Sequence, residues 1–343
     1  MVTKKVVDLN GPERGDLDTL RRLLLQGTLG LAASAAFSGQ MPFVSTRPPF
    51  VSALDKEFLS RSDATIKYCW QLYYSGGAFL VEQFLPTFLS QVVPLAQQPS
   101  QYQETLASIT SRTYQLSWLL NLQHQDFGQA FASTKQSLIY AELAQDSNLL
   151  LASLVRQAHT FFHLKNPTKQ LFLHEKAMQY VQDASPLLQS WLYLVLAESH
   201  AHLQQEKEAD HFLGLARDTF PEKPEQDPNY SYVPVDHFWF TNHEVMAYLH
   251  LHHPTDAWNT LTKFDKIDPT VPLRVEFTNR QLATLYALGD LQEACSHFEV
   301  AAQAAKQSGS SLRYNEVCNV YVNMISKWPY EARVRKLEEF LRQ

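Results

Sequence analysis

A four-residue phrase occurs twice in this sequence, and its spacing limits what the chain can fold into. Phe240-Thr241-Asn242-His243 returns 37 residues later as Phe277-Thr278-Asn279-Arg280. Each copy is followed by a helical stretch and then by a second helix centred on alanine. A period of this size is typical of stacked helix pairs, since one pair cannot bury its apolar face without its neighbours. The sequence therefore predicts an all-α stack of helix pairs.

Composition excludes several other classes of protein. The chain is 45% hydrophobic and 12% aromatic, which is enough for a packed core. Its 11 glycines in 343 residues are about half the average frequency, which argues against the many tight turns of an all-β fold. A net charge of -6 gives no electrostatic reason to bind nucleic acid directly. The 3 cysteines lack CxxC spacing and indicate a reducing, cytoplasmic environment.

Changes in composition divide the chain into three predicted regions. Residues 1–50 form a lead-in with an apolar helix and a proline-rich linker, residues 51–110 form capping helices, and residues 111–343 form the helix-pair array with a C-terminal capping helix. The capping helices are predicted at Val51–Leu59, Ala64–Tyr74 and Phe79–Leu95. The pairs are predicted at Ser111–Leu122 with Phe127–Ala144, Leu149–Leu164 with Thr168–Val181, Pro186–Leu203 with Lys207–Phe220, Phe238–Leu251 with Asp256–Phe264, and Arg274–Leu288 with Leu291–Ser308.

One segment interrupts the helical rhythm. Pro221–Asp236 holds four prolines, which remove backbone donors and bar helix. Loops of this length without regular structure are usually functional or mobile, so this segment is predicted to have a role at the binding surface.

The apolar stretch Leu17–Phe37 has two interpretations. Its core, Leu23–Phe37, is shorter than the ~20 residues that span a bilayer, so no stable membrane span is expected. The Arg21-Arg22 pair and the Ala33-Ser34-Ala35 triplet resemble a twin-arginine export signal, although Leu20 stands where serine is expected. The other interpretation is a helix that packs on the body or serves as a linker. A cytoplasmic protein is expected, with an exported scaffold protein as the alternative.

Small residues recur where the two helices of a pair must approach closely. On the second helices, the alternating small and bulky residues are Ala209, Leu213 and Ala216 in the third pair, and Ala294, Phe298 and Ala301 in the fifth. Residues with this spacing resemble the tetratricopeptide repeat over roughly Ser111–Ser308. The resemblance implies a right-handed helix-pair solenoid. The chain departs from that pattern at Leu282, where a small residue is expected, and in a repeat spacing longer than 34 residues.

Other features are similar to a narrower family. They are helix pairs of about 40 residues, the Trp70-Gln71-Leu72-Tyr73 helix before the array, the Tyr114–Trp118 stretch, and a last helix of mixed charge after Arg313. They resemble the repeat-containing C-terminal half of bacterial helix-turn-helix transcriptional regulators of filamentous Chloroflexi and actinobacteria. Residues 1–60 lack the basic recognition helix of the DNA-binding domain. The resemblance implies a non-enzymatic sensor or interaction module that binds a peptide, a small molecule or a protein partner in transcriptional or signalling regulation.

Candidate binding residues follow from this resemblance, because the first helices of tetratricopeptide pairs line the concave face. They are Arg112, Gln115, His159, Trp191, Glu198, His202, Trp239, Asn242, Asn279 and Tyr286. Asn242 and Asn279 fall on equivalent positions, and a carboxamide can pair with both the N–H and the C=O of a bound peptide. The alternative is that the Thr-Asn pair marks a helix N-terminus, where the side chain caps backbone donors. Oligomeric state does not follow from the sequence.

Motifs of catalysis and metal binding are missing from the sequence. There is no GxSxG, P-loop or GxGxxG pattern, so neither an enzyme nor a cofactor is expected. His250, His252 and His253 form a histidine-rich turn, but only two of them can face one way. His243-Glu244 is followed by Ala247 where a zinc HExxH motif requires its second histidine. No metal site is therefore predicted, and these histidines are expected to lie at a solvated helix C-terminus.

Overall fold

The computed structural model describes residues 56–263 and 272–342, and every regular element within them is helical. The helices are α1 Lys56–Tyr74, α2 Ala78–Gln97, α3 Gln103–Gln123, α4 Phe127–Leu143, α5 Ser147–His163, α6 Pro167–Ala177, α7 Pro186–His202, α8 Glu206–Thr219, α9 His237–His250, α10 Pro254–Leu261, α11 Pro272–Leu288, α12 Leu291–Ser308, α13 Ser311–Lys327, α14 Ala332–Lys336 and α15 Glu338–Arg342. The all-α prediction is confirmed for these residues. The predicted region 1–50, with Leu17–Phe37, lies outside them.

Two helices differ most from their predicted bounds. α1 is one continuous helix where the sequence predicted two, because Leu59, Ser62 and Ile66 are all buried along one face. α3 begins at Gln103 rather than Ser111, so the predicted boundary between capping helices and array falls inside a helix. Its first turns are helical because Leu106 and other apolar side chains there are fully buried.

The same tight turn joins successive helices along the chain. A residue with positive φ lies one or two positions after the helix end, at Gln125, Gln145, Lys165, Gln204, His252, Gly289 and Gly309. In most copies the next N–H bonds a carbonyl five residues back, as in Asp126 to Asn121 at 2.9 Å and Asp290 to Leu285 at 3.2 Å. This left-handed C-terminal cap ends one helix and positions the residue that begins the next. His252 of the histidine-rich turn is therefore a turn-forming residue.

The odd-numbered helices form an inner layer. α3, α5, α7, α9, α11 and α13 each contact the next in this order, and α1 packs against α3. The even-numbered helices α4, α6, α10 and α12 each pack between two consecutive inner helices. Sequence-adjacent helices are thus paired throughout, as the sequence predicts, and the alanines of the close crossings, Ala209 and Ala216, are fully buried.

The row of inner helices closes on itself. The Ser310 hydroxyl at the start of α13 hydrogen-bonds the Gln123 side chain at the end of α3, 187 positions earlier in the sequence. Leu312 packs in the same place against Trp118 and Leu122 of α3. The inner surface is consequently enclosed, where the repeat resemblance led to the expectation of an open concave face.

One described helix, α2, is long and apolar enough to cross a membrane, with a mean hydropathy of 1.3 over its best window. It contains Pro86 and Pro94, and it buries Val81, Leu85 and Phe88 among other residues. Length and hydropathy are shared by membrane spans and by core helices of helical proteins, so they assign no location to α2.

Candidate functional site

The inner helices enclose a cavity of about 110 Å³. Its wall comes from the end of α1, the start of α2, from α3, α5, α7, α9 and α11, from the first turn of α13, and from the loop before α9. Most of the lining side chains are aromatic or aliphatic, and the charged ones are few. The lining includes Tyr73, Tyr74, Trp118, Val155, Arg156, His159, Trp191, Val195, Val233, Val235, Trp239, His243, Glu276 and Arg313. An apolar cleft with a few convergent polar groups is typical of a small-molecule site.

A buried arginine lies in the wall of this cavity. The Arg156 guanidinium carbon is 5.3 Å from the ring centre of Trp70, 5.7 Å from that of Trp118 and 5.2 Å from that of Trp191. One terminal nitrogen donates to Gln115 Oε1 at 2.5 Å. The other donates to the backbone carbonyl of Tyr232, in the loop before α9, at 2.6 Å. Only 4% of the side chain is exposed. No carboxylate of the described residues forms an ion pair with it.

Arg156 is a cation that has no anionic partner among the described residues. Burial lowers the pKa of Arg156 to about 10, so the side chain is still charged at neutral pH. Aromatic faces and carbonyl oxygens offset part of the cost of burying a charge, but they do not neutralise it. An anion entering the cavity would find this charge unopposed.

Two indoles of the cavity wall have unused donors. Within the described residues, Nε1 of Trp191 and Nε1 of Trp239 have no hydrogen-bond partner, and both rings line the cavity. By contrast, Trp118 Nε1 donates to Thr160 Oγ1 at 3.0 Å. A buried donor without an acceptor costs about 1–3 kcal/mol, which a ligand that offers an acceptor can recover.

A second, water-sized compartment of about 10 Å³ adjoins the cavity. It is lined by His159, Phe162, His163, Glu198, Asn242, His243, Met246, Glu276 and Arg280, and His159, His243 and Glu276 line the larger cavity as well. Burial would raise the pKa of Glu198, but the hydrogen bond from His243 at 2.7 Å and the charges around it hold that pKa well below its usual range. This compartment is polar, whereas the larger cavity is mainly apolar.

The proline-rich segment Pro221–Asp236 forms part of the cavity wall. It has no regular structure beyond a short 3-10 turn at Pro224–Gln226, as predicted. The Tyr232 carbonyl accepts the Arg156 hydrogen bond, and Val233 and Val235 line the cavity. The loop is therefore what buries the arginine.

Six of the ten predicted site residues meet in this interior. His159, Trp191 and Trp239 line the larger cavity. His159, Glu198 and Asn242 line the polar compartment. Gln115 accepts a hydrogen bond from Arg156. The other four lie elsewhere. Arg112 pairs with Asp63 at 2.6 Å, His202 stacks on His250 with ring centres 4.4 Å apart, Asn279 bonds α13, and Tyr286 packs against Trp328.

The helix-capping alternative for the Thr-Asn pair does not fit the structure. α9 begins at His237, and the side chain that caps it is Asp236, which accepts the Trp239 N–H at 2.8 Å. Asn242 lies further along the helix, where backbone donors already bond within the helix. Asn279 likewise lies inside α11.

The sequence reasoning missed Arg156, although the sequence holds a signal for it. Arg156 is the one Lys, Arg, Asp or Glu residue in α5, a helix whose residues are mostly buried. Glu198 stands in the same way alone in α7. A single formal charge in a buried helix requires a specific partner or a function.

The described ranges contain no group of three or more His, Cys, Asp or Glu side chains arranged to hold a metal ion. Cys69 and Cys295 are buried free thiols, and Cys318 is partly buried. Comparison of the sequence with protein-family models and with curated proteins gave no match.

Proposed function

We propose that this protein is a non-enzymatic binding module of the sensor type, whose interior cavity holds a small organic anion with an aromatic or apolar body. The observation that carries the proposal is Arg156, a buried cation in the cavity wall with three tryptophan faces around it and no carboxylate partner in the described structure. Among the peptide, small-molecule and protein ligands that the sequence suggested, a closed ring of helices favours the small molecule.

The cavity wall matches such a ligand in two ways. A carboxylate can accept hydrogen bonds from the guanidinium and from the free indole N–H groups of Trp191 and Trp239. The aromatic and aliphatic side chains around them would pack against the apolar part of the ligand. Binding is favoured over acid–base chemistry because the two interior carboxylates, Glu198 and Glu276, are each already paired with a protein side chain.

A wider role follows from the family resemblance. We propose that the helix pairs form a right-handed, tetratricopeptide-like solenoid, and that ligand occupancy is relayed to a protein or peptide partner in cytoplasmic transcriptional or signalling regulation. Export by the twin-arginine pathway is the competing proposal. Sequencing the N-terminus of protein purified from its own cells separates them, since a start near Ala36 would support export and an intact Met1 or Val2 would support the cytoplasmic module.

The binding proposal is tested with three compounds that share one body and differ in charge. Calorimetric titration with phenylacetate, phenylacetamide and phenethylamine should show the order anion, neutral amide, cation. Phenylacetate should bind at least ~10-fold more tightly than the amide, because a charge-assisted hydrogen bond to a desolvated guanidinium is worth about 1.5–3 kcal/mol.

Arg156→Met should abolish this preference while the helical content, followed by circular dichroism, is unchanged. The matched control is Arg112→Met, which removes an arginine of the neighbouring inner helix that pairs with Asp63 and does not line the cavity. Equal affinity for the three compounds, or a preference for the amine, would contradict the proposal.

A further inference from the structure

The side chain of Asn242 has no partner in the part of the chain that the structure describes. Only 3% of the residue is exposed, and neither Nδ2 nor Oδ1 makes a hydrogen bond. The side chain lines the polar compartment. A buried carboxamide with both its donor and its acceptor unused destabilises the fold, because both groups have lost their hydrogen bonds to water and gained none. Such a residue is expected to have its partners supplied from outside the chain.

A second unused donor lies in the same compartment. Arg280 lines it, and the Arg280 Nε–H is buried without an acceptor in the described residues. The charge of Arg280 is already met, because a terminal nitrogen lies 3.2 Å from Glu276 Oε1 and 3.8 Å from Glu316 Oε1. The compartment therefore lacks acceptors for two donor nitrogens, Asn242 Nδ2 and Arg280 Nε, and a donor for one carbonyl oxygen, Asn242 Oδ1.

The compartment has no unpaired charge to offer. Glu198 is hydrogen-bonded to His243, and Glu276 is paired with Arg280 and Arg313. Burial lowers the pKa of His159 to about 4 and that of His163 well below the usual range, so both rings are neutral at pH 7. A charged group entering here would meet no counter-ion, whereas a neutral group that both donates and accepts would satisfy every unused atom.

The two compartments are adjacent. His159, His243 and Glu276 line both, so a ligand in the larger cavity can reach the smaller one past these side chains.

We propose that the compartment formed by Asn242 and Arg280 is a second subsite for the same ligand, and that it takes a neutral hydroxyl group carried at the end away from the acid. The inference rests on the proposed function, because it requires a ligand anchored at Arg156. The ligand class becomes an apolar organic acid with a neutral hydrogen-bonding group at its far end. The competing explanation is a single ordered water, since the compartment has the volume of about one water molecule.

The test compares a hydroxyl with a methyl group of similar size on one scaffold. Affinities of 3- and 4-hydroxyphenylacetate, 3- and 4-methylphenylacetate and phenylacetate are measured by calorimetry. In the wild type, one hydroxyl isomer should bind about 10-fold more tightly than its methyl counterpart, as expected for satisfying buried polar groups.

In Asn242→Leu this hydroxyl-to-methyl ratio should fall to near 1. In the control Asn259→Leu, which alters an exposed amide on α10, the ratio should remain at the wild-type value. A melting curve without ligand accompanies each titration, and Asn242→Leu should melt at or above the wild-type temperature.

The possible results separate the two proposals. If phenylacetate does not bind the wild type, the proposed function fails and this inference fails with it. If phenylacetate binds and the hydroxyl gives no advantage, or gives the same advantage in Asn242→Leu, the second subsite is wrong and the first stands. A lower melting temperature for Asn242→Leu together with a ratio near 1 in the wild type would assign the compartment to a structural water only.

Discussion

The interior of this protein has two walls that differ in whether their arginine charges are paired with carboxylates. Both walls also hold unpaired polar atoms, which on α11 are Arg280 Nε and Asn279 Oδ1. On the wall formed by α11 and α13, the charges pair with one another: Glu276 lies 2.6 Å from Arg313, and Arg313 lies 2.8 Å from Glu316. On the wall formed by α5, α7 and α9, the Arg156 charge has no carboxylate among the described residues, and Trp191, Trp239 and Asn242 have unused donors. A fully hydrogen-bonded polar network stabilises a fold, whereas buried polar groups without partners are typical of places where a ligand supplies the missing partner.

The repeated phrase that predicted the fold shows the same contrast. Asn279, in the second copy, donates to the Arg313 carbonyl at 3.1 Å and to Glu316 at 2.9 Å, and so joins α11 to α13. Asn242, in the first copy, makes no such bond. The two asparagines hold equivalent repeat positions and differ only in what the neighbouring helix presents to them. Residues at equivalent repeat positions therefore need not make the same hydrogen bonds.

The largest expected effect is a difference in stability between two arginine substitutions. Arg313→Met should lower the free energy of unfolding by up to about 3–5 kcal/mol, because it breaks the ion pairs of Arg313 with Glu276 and Glu316 and leaves the buried Glu276 with Arg280 alone. Arg156→Met should cost less, about 1–3 kcal/mol, because it breaks no ion pair and leaves only the neutral acceptors of Gln115 and Tyr232 without their donor. Urea unfolding of both variants measures the difference. Equal losses would show that the two walls do not differ in the way described.

A second prediction concerns the pH dependence of stability, which reports on two histidines whose side chains are removed from water. Burial lowers the pKa of His159 and of His250 to about 4, from an ordinary value near 6.5. Below pH 6.5 the unfolded chain binds protons that the folded rings do not, so stability is greatest above pH 6.5 and falls as the pH drops toward 4. Each histidine contributes a slope of up to about 1.4 kcal/mol per pH unit.

Thermal melting between pH 7 and pH 5 should therefore show a steady loss of stability. His159→Phe keeps an aromatic ring against Trp118 and Phe162 and removes one titrating group, so its slope should be shallower. Glu198 and Glu276 add a separate loss of stability at lower pH, because the folded protein lowers the pKa of both carboxyl groups. Their contribution to stability is fully present above about pH 4.5 and is lost as the pH falls further. A melting temperature that is flat from pH 7 to pH 5 would contradict the buried, neutral state of these rings.

The two asparagines give a third and smaller contrast. Asn279→Leu should lower stability by about 1–3 kcal/mol, because Glu316 and the Arg313 carbonyl lose their donor. Asn242→Leu should change it by less than about 0.5 kcal/mol or raise it, since no protein hydrogen bond is broken. Unfolding curves measured side by side decide the matter, and a larger loss at Asn242 would give it a structural role.

The smallest effect tests a feature that the two walls share, the left-handed turn between helices. Gln145 precedes α5 and has φ 52°, and Gly309 precedes α13 and has φ 67°. Gln145→Gly should stabilise the protein by about 0.5–1 kcal/mol, because glycine adopts this conformation without steric cost. Gly309→Ala should destabilise it by a similar amount, and a Cβ there would meet no other atom within 4 Å, so strain alone is measured. Changes of the opposite sign would contradict the turn geometry.

The local structure of this protein was determined by the sequence alone. Helix positions followed from apolar residues at helical spacing, and the close crossings followed from Ala209 and Ala216, because these patterns act between residues within one or two turns. The recurring turn could also have been predicted from the sequence, because a polar residue that ends one helix is followed by an Asp or Asn that caps the next. The pattern occurs at Gln125-Asp126, Gln145-Asp146 and Lys165-Asn166.

The cavity, in contrast, was decided by the tertiary structure. Tyr232 reaches Arg156 across 76 positions of sequence, and Ser310 reaches Gln123 across 187. Such contacts depend on the rotation between each helix pair and the next, summed over the whole array, and no local pattern encodes that sum. The same accumulated rotation places Asn279 within hydrogen-bond distance of Glu316, whereas Asn242 lines the polar compartment. The helices are therefore determined by neighbouring residues, and the cavity is determined by the closed ring.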